Sequence, residues 1–401
     1  MTIKKGKKQE ADKSLLYAKL RPGSNFSGKV PNLLIGTYGY PDVHVGSMVG
    51  EQRSAKELVK QKLTVQEIVE ERQTVVNTRT QGHIKQQFRY KEEAQDIAKS
   101  KKAVETEIEI EKPLRLDTQF HERAMPHGPS AQLKSMEITE NPTIPRSVER
   151  ITSDTDAKAT TAMHELQKKG IDEYHMTKLL SAGTLGQEES RKLVPTKWSI
   201  TAVDDTFGKK LQEEIADYDD HSYTFFTGNY LGNYFFIIIQ PGDFSFELVE
   251  IVLPHGIYNQ GDELLITKDH EFQQGRKKYV EQTAGGYYAS KLPTLEYFRK
   301  VKRQGRVTEF RVITPEYTTP LGVWVVREGV RLTLSTNSAN QPSGTSDSSR
   351  REFTREEFSS LGEIKNELLK LLKQFYHKPE DILKESILFK TEQKGLRSFF
   401  T

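Results

Sequence analysis

The run Phe235-Phe-Ile-Ile-Ile239 constrains this chain more than any other stretch, because it is apolar at every position. Successive side chains of a strand point to opposite faces, so an all-apolar strand needs cover on both. The segment Tyr234 to Gln240 is therefore predicted to lie in the middle of a sheet. Two further β-rich segments flank it, Ser222 to Phe226 and Phe244 to Leu253, and nothing helical separates the three. Strands in succession without intervening helices argue against a doubly wound parallel fold. The expected class is α+β: a central mixed or mostly antiparallel sheet with flanking helices, a C-terminal helical extension and a flexible tail.

The remaining elements follow from periodicity and caps. Residues 1–30 read as a flexible basic arm, with Lys4, Lys5, Lys7 and Lys8 and no apolar run beside them. A body over 31–334 follows, in two parts, 31–190 and 191–334. Leu33 to Ile35 predict a short strand, and Val43 and Val45 alternate around His44 in a second. Gly39, Tyr40 and Pro41 supply the turn between them. His44 reads as a hydrogen-bonded strand residue or, alternatively, a metal ligand. Thr64 to Glu67 form a capping box opening a helix through Val76, and Lys91 to Lys102 predict another. The alternation of Val104, Thr106, Ile108 and Ile110 predicts a half-exposed strand. Pro113 to Pro145 reads as loop. Asp154 or Asp156 caps a helix over Ala157 to Lys169, and a second runs from Asp172 to Ala182.

Further on, Trp198, Ile200 and Ala202 alternate as a strand that gives way, after Asp204-Asp205, to a helix reaching Tyr218. Lys277 to Gln282 and Arg306 to Ile313 predict strands, with a helix from Gly285 to Arg303 between them. Ser335 to Ser349 cannot build a core, so 335–352 is expected to be a linker. A helical extension over 353–390 starts at a Thr354 to Glu357 capping box, runs through Phe375, and restarts at Pro379. That solvated helix and the linker would make residues 391–401 a tethered arm.

The 401 residues suffice for two or three domains. A net charge of +3 leaves any nucleic-acid surface to local patches. The absence of cysteine excludes disulfides and cysteine-ligated zinc. No stretch approaches 18 consecutive apolar residues, so no membrane partner and a cytoplasmic location are expected.

Several residues are candidates for chemistry. Asp204 and Asp205, at a strand-to-helix junction, read as N-caps or as acid–base and metal groups. Glu247 and Glu250 fall on opposite faces of a regular strand, which weakens a two-metal arrangement with them. Gly285-Gly286 before a helix resembles a place where backbone meets phosphate, although the spacing of a phosphate-binding loop is missing. Tyr287 is placed either to stack on a base or to pack in the core. Lys291, Arg299, Lys300, Lys302 and Arg303 make a basic helix face, which is either solvated or turned to DNA. Arg327 and Arg331 share one helical face, suited to clamping a phosphate or to pairing with Asp204 or Glu250.

The last residues carry the most specific motif, Gln393-Lys-Gly-Leu-Arg-Ser-Phe-Phe400. Leu396, Phe399 and Phe400 stand at i, i+3 and i+4, so a single helical turn puts all three on one side. Gln393 is left to read a small polar pocket. This spacing resembles the motif by which replication and repair proteins dock on the sliding clamp PCNA. The alternative is a hydrophobic flap over the protein's own core.

The body in turn resembles the Nre family of archaeal DNA-repair proteins. The resemblance rests on Tyr40-Pro-Asp-Val-His-Val-Gly46, Leu179-Leu180 with Gly183, Leu185-Gly186, Leu193-Val-Pro-Thr-Lys-Trp-Ser-Ile-Thr-Ala-Val-Asp-Asp205, Thr283-Ala-Gly-Gly-Tyr-Tyr-Ala289 and Leu321-Gly-Val-Trp-Val-Val-Arg-Glu328. It implies a role in archaeal DNA repair and a PCNA-docking tail, without implying a reaction. An N-terminal cysteine cluster common in the family is missing here. Where an arginine often precedes the family's tryptophan, this chain has Lys197 before Trp198, which gives up bidentate geometry at any phosphate held there. Three readings follow. One is a clamp-tethered factor whose body touches DNA. A second is a nuclease or nucleotide-processing enzyme, with Mg²⁺ or Mn²⁺ at Asp204, Asp205, Glu247 or Glu250. The third is an adaptor linking the clamp to other repair proteins.

Overall fold

Strand-forming segments gather into two six-stranded sheets in the computed structural model, which describes residues 25–114, 127–336 and 353–390. The chain divides into two compact units, the boundary falling between Thr206 and Phe207. Residues 1–24 of the expected basic arm, most of the expected linker and the docking motif lie outside the described residues, whereas residues 25–30 of that arm form a paired strand instead of a flexible segment.

The first unit holds β1 (Asn25–Val30), β2 (Asn32–Ile35), β3 (Asp42–Val49), β4 (Val76–His83), β5 (Val104–Ile110) and β6 (Ser130–Ile138), in the order β1-β5-β6-β4-β3-β2. Neighbours are antiparallel except β4 and β6. Its helices are α1 (Ala55–Gln61), α2 (Val65–Gln73), α3 (Lys91–Lys99), α4 (Arg146–Ser153), α5 (Ala159–Lys168), α6 (Glu173–Ser181) and the first turns of α7 (Thr196–Ile215). Val30, Leu33, Val43, Ile97, Val104 and Ile108 are buried in one shared core. β5 buries Val104, Thr106, Ile108 and Ile110, as its period of two requires. The Thr64–Glu67 box is formed reciprocally and opens α2, which stops at Gln73 so that Val76 can begin β4.

Three further expectations fail in this unit. The segment Trp198 to Ala202 is helical, part of α7. Its buried positions Val203, Phe207, Leu211 and Ile215 recur every four residues, and that longer period outweighs the local alternation. The stretch read as loop contains β6, whose apolar residues change parity between Leu133 and Met136 because a register shift opposite Glu109 and Ile110 interrupts the alternation. Neither Asp154 nor Asp156 caps α5, which starts at Ala159 after Lys158. Asp154 instead accepts the Asp156 and Ala157 amides in the turn before it.

The second unit holds β7 (Asp219–Asp220), β8 (Thr224–Tyr230), β9 (Asn233–Gln240), β10 (Ser245–Val252), β11 (Leu265–Glu271), α8 (Gly285–Val301), β12 (Arg303–Gln304), β13 (Arg306–Ile313), α9 (Trp324–Leu334), β14 (Phe353–Glu357), α10 (Leu361–Leu372) and α11 (Pro379–Glu385). The sheet order is β11-β10-β13-β9-β8-β14, antiparallel except for β10 beside β13, and β7 pairs with β12 separately. The all-apolar β9 sits third from one edge with both faces covered. On one face Phe246 packs on Tyr287, Phe244 on Phe298 and Tyr230 on Trp324. On the other, Phe225, Phe236, Ile238, Ile251 and Phe310 are buried with Ile364, Leu368, Leu372 and Leu383. The mixed, mostly antiparallel α+β architecture is thus present twice.

Here too some segments differ from expectation. Thr354 to Glu357 pair with β8 as an edge strand, and Ser360 caps α10 instead, accepting the Glu363 amide. The apolar stripe of α10 is buried on the sheet, so the extension is a layer of the body rather than a solvated arm. Lys277 to Gln282 form no strand. Asp269 accepts the Glu281, Gln282 and Thr283 amides at 2.8–3.1 Å and holds that segment as a loop.

Candidate functional site

The pleat of β10 and the start of α8 bring one buried polar cluster together in the second unit. β10 and β13 run parallel, and α8 begins over their carboxyl halves, the position where open sheets tend to receive ligands. Gly286 is needed there: a Cβ would stand 2.9 Å from Glu250 Oε1. Glu250 pairs with Arg311. The Arg311 guanidinium also donates from Nε and Nη2 to Asn233 Oδ1, at 3.0 and 2.7 Å. One turn along α8, Ser290 donates to the fully buried Glu309.

Burial pushes the Glu309 carboxyl from 4.5 up to about 7, against the opposing pulls of the Ser290 hydroxyl and Arg311. Folding therefore retains a proton that the unfolded chain releases. The stability present below about pH 4.5 declines as pH rises and is lost through pH 7, levelling off above it. A shift of this size corresponds to roughly 3 kcal/mol. The Glu309→Gln variant is expected to flatten the stability profile across that window and to exceed wild type at pH 8. Urea midpoints measured from pH 5 to 8 check this; parallel profiles for the two proteins would refute it.

The predicted phosphate-binding residues separate into two groups. Tyr287 is fully buried, with its hydroxyl pKa raised by burial, and Lys291 is paired with Glu271 and donates to Gln212 Oε1 at 2.8 Å. Arg331 donates to both Glu296 oxygens and to Glu328, each at 2.9 Å, while Arg327 is buried. Gly285 and Gly286 open α8 over Glu250. These side chains belong to the interior or to ion pairs within the unit. By contrast Arg299, Lys300 and Arg303 lie exposed at the end of α8 and beyond it, Arg303 meeting the exposed Asp219 at 2.9 Å. Lys197 and Trp198 are exposed on the first turn of α7.

Glu247 and Glu250, the two candidate carboxylates of the second unit, do not converge. Asp204 is buried in α7 and Asp205 follows it there, in the first unit. In the second, Glu250 faces α8 while Glu247 faces the opposite layer, as strand alternation requires. Glu247 accepts hydrogen bonds from Ser386 Oγ, the Ile387 amide at 2.7 Å and the Leu388 amide at 3.1 Å. Among the described residues no group of three or more His, Asp and Glu is placed to hold a metal ion. His44 stands in β3 and belongs to no such group among the described residues. No described helix is long and apolar enough to cross a membrane.

Sequence reasoning missed one feature of the first unit. Trp198 lies against Tyr40, ring centroids 5.2 Å apart and tilted by 56°, and both remain more than two-fifths exposed. The two are remote in sequence, so spacing carried no signal. Their meeting depends on the pairing of three segments: the Ile84 amide donates to Pro41 O, the Leu193 amide to Ile84 O, and the Ile35 amide to Thr196 Oγ1.

Comparison with known proteins gives a consistent picture. A family model described as archaeal Nre, N-terminal, matches residues 9–259, and one described as archaeal Nre, C-terminal, matches residues 271–399. DNA repair protein NreA of Haloferax volcanii is 33% identical over 325 residues, covering 77% of each chain. DNA repair protein NreA of Archaeoglobus fulgidus is 36% identical over 310 residues, covering 76% of this chain and 78% of its own. DNA repair protein NreB of the same organism is 34% identical over 308 residues, covering 75% and 78%. No solved structure matches.

Proposed function

This chain belongs to the archaeal Nre family, and on that premise we propose that it is a DNA-repair factor recruited to the PCNA sliding clamp. One observation carries the repair role: a third of the residues are shared, over three quarters of the chain, with proteins named for DNA repair. Gln393, Leu396, Phe399 and Phe400 dock on the clamp, their spacing being the ground for that assignment. The body contacts DNA through exposed cations, Lys197 in the first unit and Arg299 and Arg303 in the second. In this reading the protein is cytoplasmic and joins the nucleoid when clamp-bound.

A nuclease reading has less support, because Glu247 and Glu250, two of the carboxylates it would use, are engaged on opposite faces of one sheet. The discriminating assay is incubation with Mg²⁺ or Mn²⁺ and a panel of DNA substrates, wild type against Asp204→Ala with Asp205→Ala. Cleavage that the variant loses would put catalysis first. For the repair role, cells lacking this protein are expected to be hypersensitive to DNA-damaging agents. Wild type is expected to restore resistance, and the Phe399→Ala, Phe400→Ala variant to leave most of the defect. Equal survival with and without the protein would refute the proposal.

A further inference from the structure

We infer that Tyr40 and Trp198, with the exposed Tyr38 two residues before Tyr40 in the chain, form a stacking platform for the unpaired bases of single-stranded DNA. This rests on the DNA contact proposed above and names the form of DNA that the first unit recognises. Large apolar side chains exposed together need an explanation, whereas scattered ones do not. In the first unit the exposed large hydrophobics among the described residues are Leu34, Tyr38, Tyr40 and Trp198, and they gather in one region. Leu34 lies on the edge strand β2, beside Ile35, whose amide is held by Thr196 two residues before Trp198. Tyr38 is 85% exposed, and Trp198 46%.

A packing role would enclose these rings. Here Tyr40 and Trp198 touch each other by a tilted contact and still keep over two-fifths of their surface in solvent, room that base stacking requires. The charge around them fits a phosphate backbone. Lys197 adjoins Trp198, Lys85 follows Ile84, whose amide is bonded to Pro41 O, and Lys192 precedes Leu193 on the third segment; all three are exposed. Asp42 is the exposed acid in the same turn. Within two residues of the joined positions Pro41, Ile84, Leu193 and Thr196, three exposed lysines stand against one exposed carboxylate, a basic rim from which a purely apolar protein partner would gain nothing. Stacking on aromatic rings tolerates any sequence, because every base has a π-face. Duplex DNA keeps its bases stacked on each other and offers these rings nothing but phosphate.

Intrinsic fluorescence provides the test. The chain has two tryptophans, and the other, Trp324, is buried with its indole N–H bonded to Leu321 O at 2.7 Å. Titrating the full chain with an oligothymidylate is expected to quench Trp198, while a duplex of equal length quenches it weakly. Trp198→Ala is expected to weaken single-strand binding by about 5- to 100-fold and to change duplex binding less than twofold. Trp198→Phe should recover part of the loss, and Lys197→Gln should lower the salt dependence by about one released counterion. Melting followed by circular dichroism verifies that each variant is folded, and Tyr40→Ala replaces Trp198→Ala if that variant is not. Wild type that binds single strands with unchanged emission, or a folded variant binding them within twofold of wild type, would overturn the platform alone. Wild type that binds neither single strands nor duplex would overturn the DNA contact as well.

Discussion

Replacing Phe399 and Phe400 together with alanine is expected to reduce clamp binding by at least about a hundredfold and to leave the melting of the body unchanged. Burying a large apolar side chain contributes roughly 1.5–3 kcal/mol, so Leu396, Phe399 and Phe400 offer about 5–9 kcal/mol before costs. Ordering a docking segment costs on the order of 2–5 kcal/mol. The remainder suits a transient contact, and losing two of three anchors takes about 3–6 kcal/mol from it. The flap alternative makes the opposite prediction: the same variant would expose core, lower the melting temperature and leave clamp binding as it was. Gel filtration with PCNA and a thermal melt of the same two proteins separate these outcomes. Co-elution of the double variant with the clamp would end the docking assignment. Spacing adds a constraint. Phe389 is buried with its ring 6.0 Å from that of Phe310. Four residues of chain, from Phe389 to Gln393, reach at most about 14 Å. A clamp docked at Gln393 would therefore sit close to the second unit, not at the end of a long tether.

The sheets were readable where one principle acted alone. β9 declares itself by being apolar on both faces, and β5 by strict alternation. Where two signals competed, the local one misled. Trp198, Ile200 and Ala202 alternate over five residues, yet the four-residue recurrence from Val203 to Ile215 decides a helix, since one face of twenty residues buries more than one face of five. A register shift hid β6, and the polar edge strands β11 and β14 resemble loop or helix start because they bury one face at most. The candidate site divides similarly. The Gly285-Gly286 pair opens a helix as expected, but Glu250, Arg311, Asn233 and Glu309 come from strands whose partners no local pattern names. Ion pairs are equally non-local: the sequence presents Lys291 and Arg331 as free cations, and the fold gives each a carboxylate. Tyr40 meeting Trp198 is the extreme case, a contact made entirely by long-range stitching.

Glu247 illustrates how one buried carboxyl can serve architecture instead of chemistry. Its two oxygens receive Ser386 Oγ and the amides of Ile387 and Leu388, closing the turn that seats Leu388 and Phe389 on the sheet. An apolar residue at this position would leave those donors buried without acceptors, at about 1–3 kcal/mol each. Glu247→Ala is accordingly expected to destabilise the second unit by roughly 3–5 kcal/mol, among the larger effects of any single substitution. Glu247→Gln, which keeps one acceptor oxygen, should lose about 1–2 kcal/mol. Urea unfolding measures both, and limited trypsin digestion should cut the alanine variant faster between residues 384 and 390, where the anchor is lost. An alanine variant as stable and as protease-resistant as wild type would disprove the anchoring role. The docking motif begins four residues beyond Phe389, so the same variant separates affinity from placement. The motif itself is intact, and clamp affinity should stay within about twofold of wild type, since the anchor residues carry the binding energy. Resistance to DNA damage should nevertheless fall, because the body is no longer held at a fixed short distance from the clamp. A double variant losing both binding and repair, beside an anchor variant losing repair alone, would show that the fold sets the position of the body on DNA as well as its attachment there.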